Sequence, residues 1–243
     1  AAARRRARAM AVLVRRVTRM VGYALREMAQ AADQTALTIE GVEKFKDHWS
    51  RHRPTMNVMD KTPQLTPDVF VAPNASIVGE VNLGSKSSVW YGAVIRGDLS
   101  SIDIGAGTNI QDRAVLHAAE GMLDSGFPAS MKIGSNCSIG HGAVLYSCTI
   151  KSDVVVGMGA VVMEGSVIDQ GAQVAAGAVV PPGTYIAPGE LYAGNPATLL
   201  RKLHEEEMAA NQAIAAGYID LAREHAEEFL PYGSAYLQAE RLE

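Results

Sequence analysis

The chain contains no apolar run of 18 residues, so nothing in it reads as a helix that crosses a membrane. It has only two cysteines, Cys137 and Cys148. Two thiols do not make a disulfide framework, and a cysteine zinc cluster needs more ligands at closer spacing. The formal net charge is −4, which lacks the positive excess of a general nucleic-acid binder, and no nucleic-acid partner is expected. Acidic residues are missing altogether before Glu27, a stretch that holds eight arginines. What is present is apolar content of 48% over 243 residues, enough for one folded domain with a real core and extensions at both ends.

The apolar residues recur every six positions. Val71, Ile77, Leu83, Val89 and Ile95 follow this step, as do Ile104, Ile110 and Leu116, and then Ile133 and Ile139. From Ile150 the step runs through Val156, Val162, Ile168, Val174, Val180 and Ile186 to Tyr192 without a slip. Six is the period of neither a helix nor an alternating strand. It is a hexapeptide repeat, the mark of a parallel β-helix. A β-sandwich would instead show turn signals roughly every 8–12 residues. Small residues lie two places before each branched one, for example Ala75, Ala93, Ala114, Ala143, Ala160 and Ala178, where they leave it room. Cys137 and Cys148 take this small interior position and are expected to be buried packing thiols. The branched residues are expected at the corners of the coil. The glycines that directly follow them (Gly84, Gly105, Gly134, Gly140, Gly157) are expected to supply the corner's backbone angles.

Five segments follow in order. Residues 1–30 form a basic amphipathic helix, with Leu13, Val17 and Val21 on one side and Arg8, Arg15 and Arg19 on another. Such a segment suits mitochondrial targeting, an anionic lipid surface or a partner protein. Residues 31–62 read as an extended arm and 63–198 as the coil, broken at about 118–132 by a loop with Gly121, Gly126 and Pro128. Residues 199–230 turn helical through Leu199, Leu203, Met208, Ile214, Ile219 and Leu221, with Glu205, Glu206 and Glu207 near the start. This helix is expected to pack along the coil; residues 231–243 are a tail.

Within the coil, charged groups and a histidine interrupt the hexads at Arg96-Gly97-Asp98, Asn109-Ile110-Gln111-Asp112 and His117. These blocks, with Asp68 to Pro73, Val89-Trp90-Tyr91-Gly92, Ile139-Gly140-His141, Gly157-Met158-Gly159-Ala160 and Gly194-Asn195-Pro196-Ala197, resemble the γ-class carbonic anhydrases. With the basic amphipathic N-terminal helix, the resemblance narrows to the mitochondrial γ-carbonic-anhydrase-like subunits of respiratory complex I in plants and algae.

The resemblance implies a left-handed parallel β-helix that assembles as a trimer of homologous subunits. Each interface would share a zinc site, with two histidines from one subunit and one from its neighbour. His117 matches the first ligand, and His141 matches the ligand given across the interface. The remaining ligand position holds Tyr146, followed by Ser147, where the family has histidine and usually glycine. A phenol with the ordinary pKa of about 10 is a poor zinc ligand at neutral pH. Zinc is therefore expected only at an interface that a neighbour completes. Arg96 and Asp98 match interface ion-pair residues, and Gln111 matches a residue that positions water or hydroxide. Glu120 lies where an archaeal member carries a glutamate proton shuttle, although a glutamate on a loop is more often just solvated.

The expected function is that of a structural subunit of the trimer on the matrix face of the mitochondrial inner membrane, against complex I membrane-arm subunits and lipid. An active zinc carbonic anhydrase is the alternative. A hexapeptide acyltransferase with His117 or His141 as general base shares the repeat but not the Asn-Ile-Gln-Asp block.

Overall fold

The computed structural model describes residues 53–58, 60–121 and 126–228, together with isolated helical positions at 17, 21, 24, 25, 28, 31, 32, 35 and 39. The coil unit spans residues 52–223. It is a left-handed parallel β-helix with three faces; most turns carry one short strand per face, and in two turns a single strand, Ser76–Leu83 or Val94–Ile104, runs across the second and third faces. The first face holds Phe70–Val71, Ser88–Val89, Asn109–Ile110, Ser138–Ile139, Val155–Val156, Gln173–Val174 and Glu190–Ala193, so the coil makes seven turns. On the second face, Ile77, Ile95, Leu116, Leu145, Val162 and Val180 stack in parallel register. On the third, Leu65, Leu83, Ile104, Ile133, Ile150, Ile168 and Ile186 do the same.

The core is the inside of this coil. Each branched residue and the small residue two places before it both point inward, as in Ala143/Leu145 and Ala160/Val162, all 0% exposed. Cys137 and Cys148 are buried free thiols, and burial pushes them up to about 11 and about 12. As thiols rather than thiolates at neutral pH, they are inert packing groups.

The corner chemistry differs from the sequence expectation. Branched residues sit in the strands, and the left-handed backbone comes three residues later, at Gly92, Gly142, Gly159 or Gly177, and at Arg113, Asn136 and Asp153. Glycines that directly follow a branched residue have ordinary φ. They are glycine because turns press together there: a Cβ on Gly140 would lie 2.6 Å from the Met158 nitrogen, and one on Gly157 only 2.4 Å from that of Ala176.

Both ends of the coil extend beyond the expected 63–198. Thr55–Met56 already pairs with Ile77–Val78, so the last part of the expected arm is a strand of the coil. Ala31, Ala32, Thr35 and Ile39 are helical rather than extended, and the Thr35 hydroxyl donates to the Ala31 carbonyl at 2.8 Å. Of the basic segment, Val17 and Val21 are helical and exposed, whereas Arg8, Leu13, Arg15 and Arg19 lie outside the described residues, as does the tail 231–243.

At the other end, residues from Leu199 do not begin the helix. Thr198–Lys202 forms an antiparallel strand on Glu190–Ala193 and satisfies the open edge of the last turn. Helix α1 runs from Glu205 to Glu228. Glu207 closes its first turn by accepting the His204 backbone N–H at 2.9 Å, as the third-position carboxylate of a capping box does. Arg201 grips the same carboxylate at 2.7 Å, and together these hold it at about 2.

Helix α1 lies on the first face, but not by the expected stripe. Ile214 and Leu221 are exposed, while Asn211, Ala215 and Ala222 are buried. Tyr218 meets Trp90 edge-on at 5.5 Å between ring centroids. Asn211 accepts from Gln173 Nε2 at 2.6 Å and donates to the carbonyls of Asp153 and Gly171 at 3.1 and 3.3 Å. Small residues let the helix approach, and one buried amide registers it against the turns.

Two stability outcomes follow. Gly157→Ala drives a methyl into backbone and should destabilise by roughly 1–3 kcal/mol, whereas Gly217→Ala, on the open side of α1 with nothing within 4 Å, should stabilise by up to about 1 kcal/mol; denaturant unfolding of both variants checks this. Asn211→Ala strands the part-buried Gln173 amide and two carbonyls and should cost roughly 1–3 kcal/mol in the same measurement, with faster proteolysis of α1.

Candidate functional site

The second face places the site. Its strands alternate, so residues on either side of each interior residue point outward. On one edge Arg96, His117 and Tyr146 occupy consecutive turns in direct register. The His117 and Tyr146 rings lie 5.6 Å apart, tilted by 55°. Arg96 Nη2 is bonded to the Asp98 carboxylate at 2.5 Å, which holds Asp98 below the usual carboxylate range. Asp98 belongs to a three-residue widening of its turn, and Lys61 Nζ clips that widening by donating to the Asp98 and Leu99 carbonyls at 2.7 Å each.

His117 is half-buried. Burial lowers its pKa, and the Arg96 charge lowers it further, while Asp98 pulls the other way. The ring therefore stays a neutral imidazole at physiological pH, with a lone pair available.

The other edge of the face carries His141, at the corner after Ser138–Ile139. Its Nδ1 lies 3.1 Å from Asp112 Oδ2, and Asp112 Oδ1 accepts the Tyr91 backbone N–H at 3.0 Å. Asp112 thus stands one turn below His141 and orients it. The sequence contained the signal for this pair, since each follows an interior isoleucine by two residues in consecutive turns (Ile110 and Ile139). Gln111, beside Asp112, is 7% exposed and donates Nε2 to Asn109 Oδ1 at 3.0 Å, within a buried network that continues to Ser138 Oγ.

The loop between His117 and Met131 is tied down by residues that sequence reasoning assigned no role. Ser147 is buried with φ 41°. Its hydroxyl accepts the Ala119 N–H and donates to the Ala129 carbonyl, both at 2.8 Å, so one side chain joins both roots of the loop. Phe127 lies on the bare backbone of Gly165 and Gly183. Glu120 is exposed on this loop.

The structure therefore gathers Arg96, Asp98, His117 and Tyr146 on one edge of the second face and His141 on the other. Among the described residues, no three His, Cys, Asp or Glu side chains converge to hold a metal within one chain. A groove of about 700 Å³ runs along the third face beside Asn82, Asp103, Lys132 and Thr149, and contains none of these residues.

No family model matches the chain. It is 53% identical over 208 residues to Gamma carbonic anhydrase 3, mitochondrial, of Arabidopsis thaliana, covering 86% of this chain and 80% of that protein. It is 45% identical over 180 residues to Gamma carbonic anhydrase-like 1, mitochondrial, of the same plant, covering 74% and 70%. Among solved structures, a hexapeptide transferase family protein from Anaplasma phagocytophilum superposes with a TM-score of 0.65 at 38% identity, covering 70% of this chain and 96% of that one. The coil, the outward histidines on its second face and this level of identity agree, and the chain belongs to the γ-carbonic anhydrase family.

Proposed function

We propose that this chain is a structural subunit of mitochondrial NADH:ubiquinone oxidoreductase, part of a trimer of γ-carbonic-anhydrase-like chains on the matrix side of the membrane arm. The observation that carries the reading is Tyr146 in direct register with His117. His117 stands in its ladder between a guanidinium, Arg96, and a phenol, Tyr146. One imidazole, one phenol and an adjacent cation do not fit zinc, because a catalytic site needs three good donors and an open position for water. The chain's own half-site is thus impaired.

His141 reads differently. It is oriented through Nδ1 by a carboxylate, the arrangement that outer-shell partners give to metal-ligating histidines. In a trimer with shared interfaces, it is suited to complete a neighbour's site. The mitochondrial location is supported by the names of both plant relatives, and attachment to complex I by the resemblance of the chain to that class of subunit.

An active carbonic anhydrase is the second reading, favoured by a neutral His117, an oriented His141 and 53% identity to a relative named as a γ-carbonic anhydrase. A homotrimer of this chain should hydrate CO2 no faster than buffer; turnover by that homotrimer would establish the second reading.

Extraction of mitochondrial membranes in mild detergent should show the chain migrating with NADH dehydrogenase activity at very large mass; a free particle of about three chains would overturn the structural reading. In the assembly containing homologous subunits, His141→Ala should lower the zinc content measured by atomic absorption; unchanged zinc would mean that His141 is not donated.

A further inference from the structure

The three faces of the coil are chemically distinct. The first is covered by α1, through Tyr218 on Trp90 and Asn211 on Gln173. The outward ladder of the third is polar along Gln64, Asn82, Asp103, Lys132 and Thr149, with Asn82 bonded to Asp103 at 2.7 Å. The second face presents a ladder of five outward valines, Val94, Val115, Val144, Val161 and Val179, in unbroken register. Val144 is 38% exposed at its middle, and the other four are partly exposed. A contiguous outward apolar strip of this kind is a surface that a partner chain can cover.

The strip has two different edges. His141 lies on one and Tyr146 on the other, five residues apart in the same turn of the coil, since Ser138–Ile139 and Val144–Tyr146 are successive strands. A rotation about an axis parallel to the coil, without translation, therefore brings Tyr146 of one copy level with His141 of the next. Cyclic assemblies are built by such a rotation, which joins unlike edges. The edges are also chemically complementary. His141 engages Asp112 through Nδ1 at 3.1 Å, so Nε2 is the ring nitrogen left for a partner, and the side chain is 43% exposed. Tyr146 carries an O–H donor on a half-buried ring steadied against His117.

We propose that in this chain a hydrogen bond from the Tyr146 hydroxyl to Nε2 of His141 in a second copy takes the place of the metal at the interface, so that the valine strips of adjacent copies pack around a metal-free contact. The proposal rests on the shared-interface reading given above and deepens it. Tyr146 has changed from a failed ligand to a direct partner of the incoming histidine. Self-association then requires no zinc, because the apolar strip supplies burial and the Tyr–His pair supplies registration.

The test is sedimentation of the full chain by analytical ultracentrifugation across a dilution series in EDTA, for wild type, Tyr146→Phe, His141→Ala and the double variant, with thermal unfolding as a folding control. The wild type should remain associated in EDTA. Each single variant should shift the dissociation midpoint about tenfold to higher concentration, as loss of one hydrogen bond does, and the double variant should shift it no further than either single one. Association by Tyr146→Phe equal to wild type, or single shifts that multiply in the double variant, would overturn the hydrogen bond while leaving the shared interface intact. A wild-type chain that stays monomeric at every concentration would overturn the hydrogen bond and the contact between copies of this chain, whereas the assembly with homologous subunits is tested separately by co-migration with NADH dehydrogenase activity.

Discussion

Everything in this molecule depends on how closely one turn of the coil lies on the next. Parallel strands of successive turns share backbone hydrogen bonds, and the turns meet so tightly at Gly140–Met158 and Gly157–Ala176 that no Cβ fits between them. That spacing fixes the interior, where a small residue and a branched one alternate on each strand. It also fixes the exterior, since residues at equivalent places in consecutive turns must stack. Arg96 on His117 on Tyr146, and Asp112 beneath His141, are outward consequences of the same ladder that stacks Ile95 on Leu116 on Leu145 inside.

The faces then divide the work. One is closed by α1, which needs small residues and Asn211 rather than a broad apolar stripe because it must come close to the coil. One is polar along Gln64, Asn82, Asp103, Lys132 and Thr149. The remaining face keeps its valines outward and holds the histidines on its two edges. His117 and Tyr146 on one edge and His141 on the other are therefore kept apart within one chain, with the valines between them.

Tyr146 and Ser147 face different tasks. Tyr146 offers a phenol, a poor metal donor at neutral pH, while Ser147 accepts a left-handed backbone and uses its hydroxyl to hold both roots of the neighbouring loop. The position beside Tyr146 is therefore part of the scaffold. His117 remains neutral through burial and the nearby Arg96, and His141 remains oriented by Asp112.

The sequence by itself determined the fold class, the interior residues and the outward placement of His117, His141 and Tyr146, because a period of six maps each residue to a place on the coil. It also placed Tyr146 where the resemblance implies a histidine. It did not reveal why particular glycines are present, because close approach of Gly157 to Ala176 is a contact between turns rather than a local preference. Leu199 to Lys202 looked helical by spacing, but the open edge of the last turn recruited them as a strand. The buried stripe of α1 was likewise settled by what it met, Trp90, Gln173 and two carbonyls. Only the tertiary structure decided that Asp112 holds His141, that Ser147 clasps the loop and that Gln111 is turned into a buried network, because each is a bond between residues that share no local pattern and meet only once the turns are stacked.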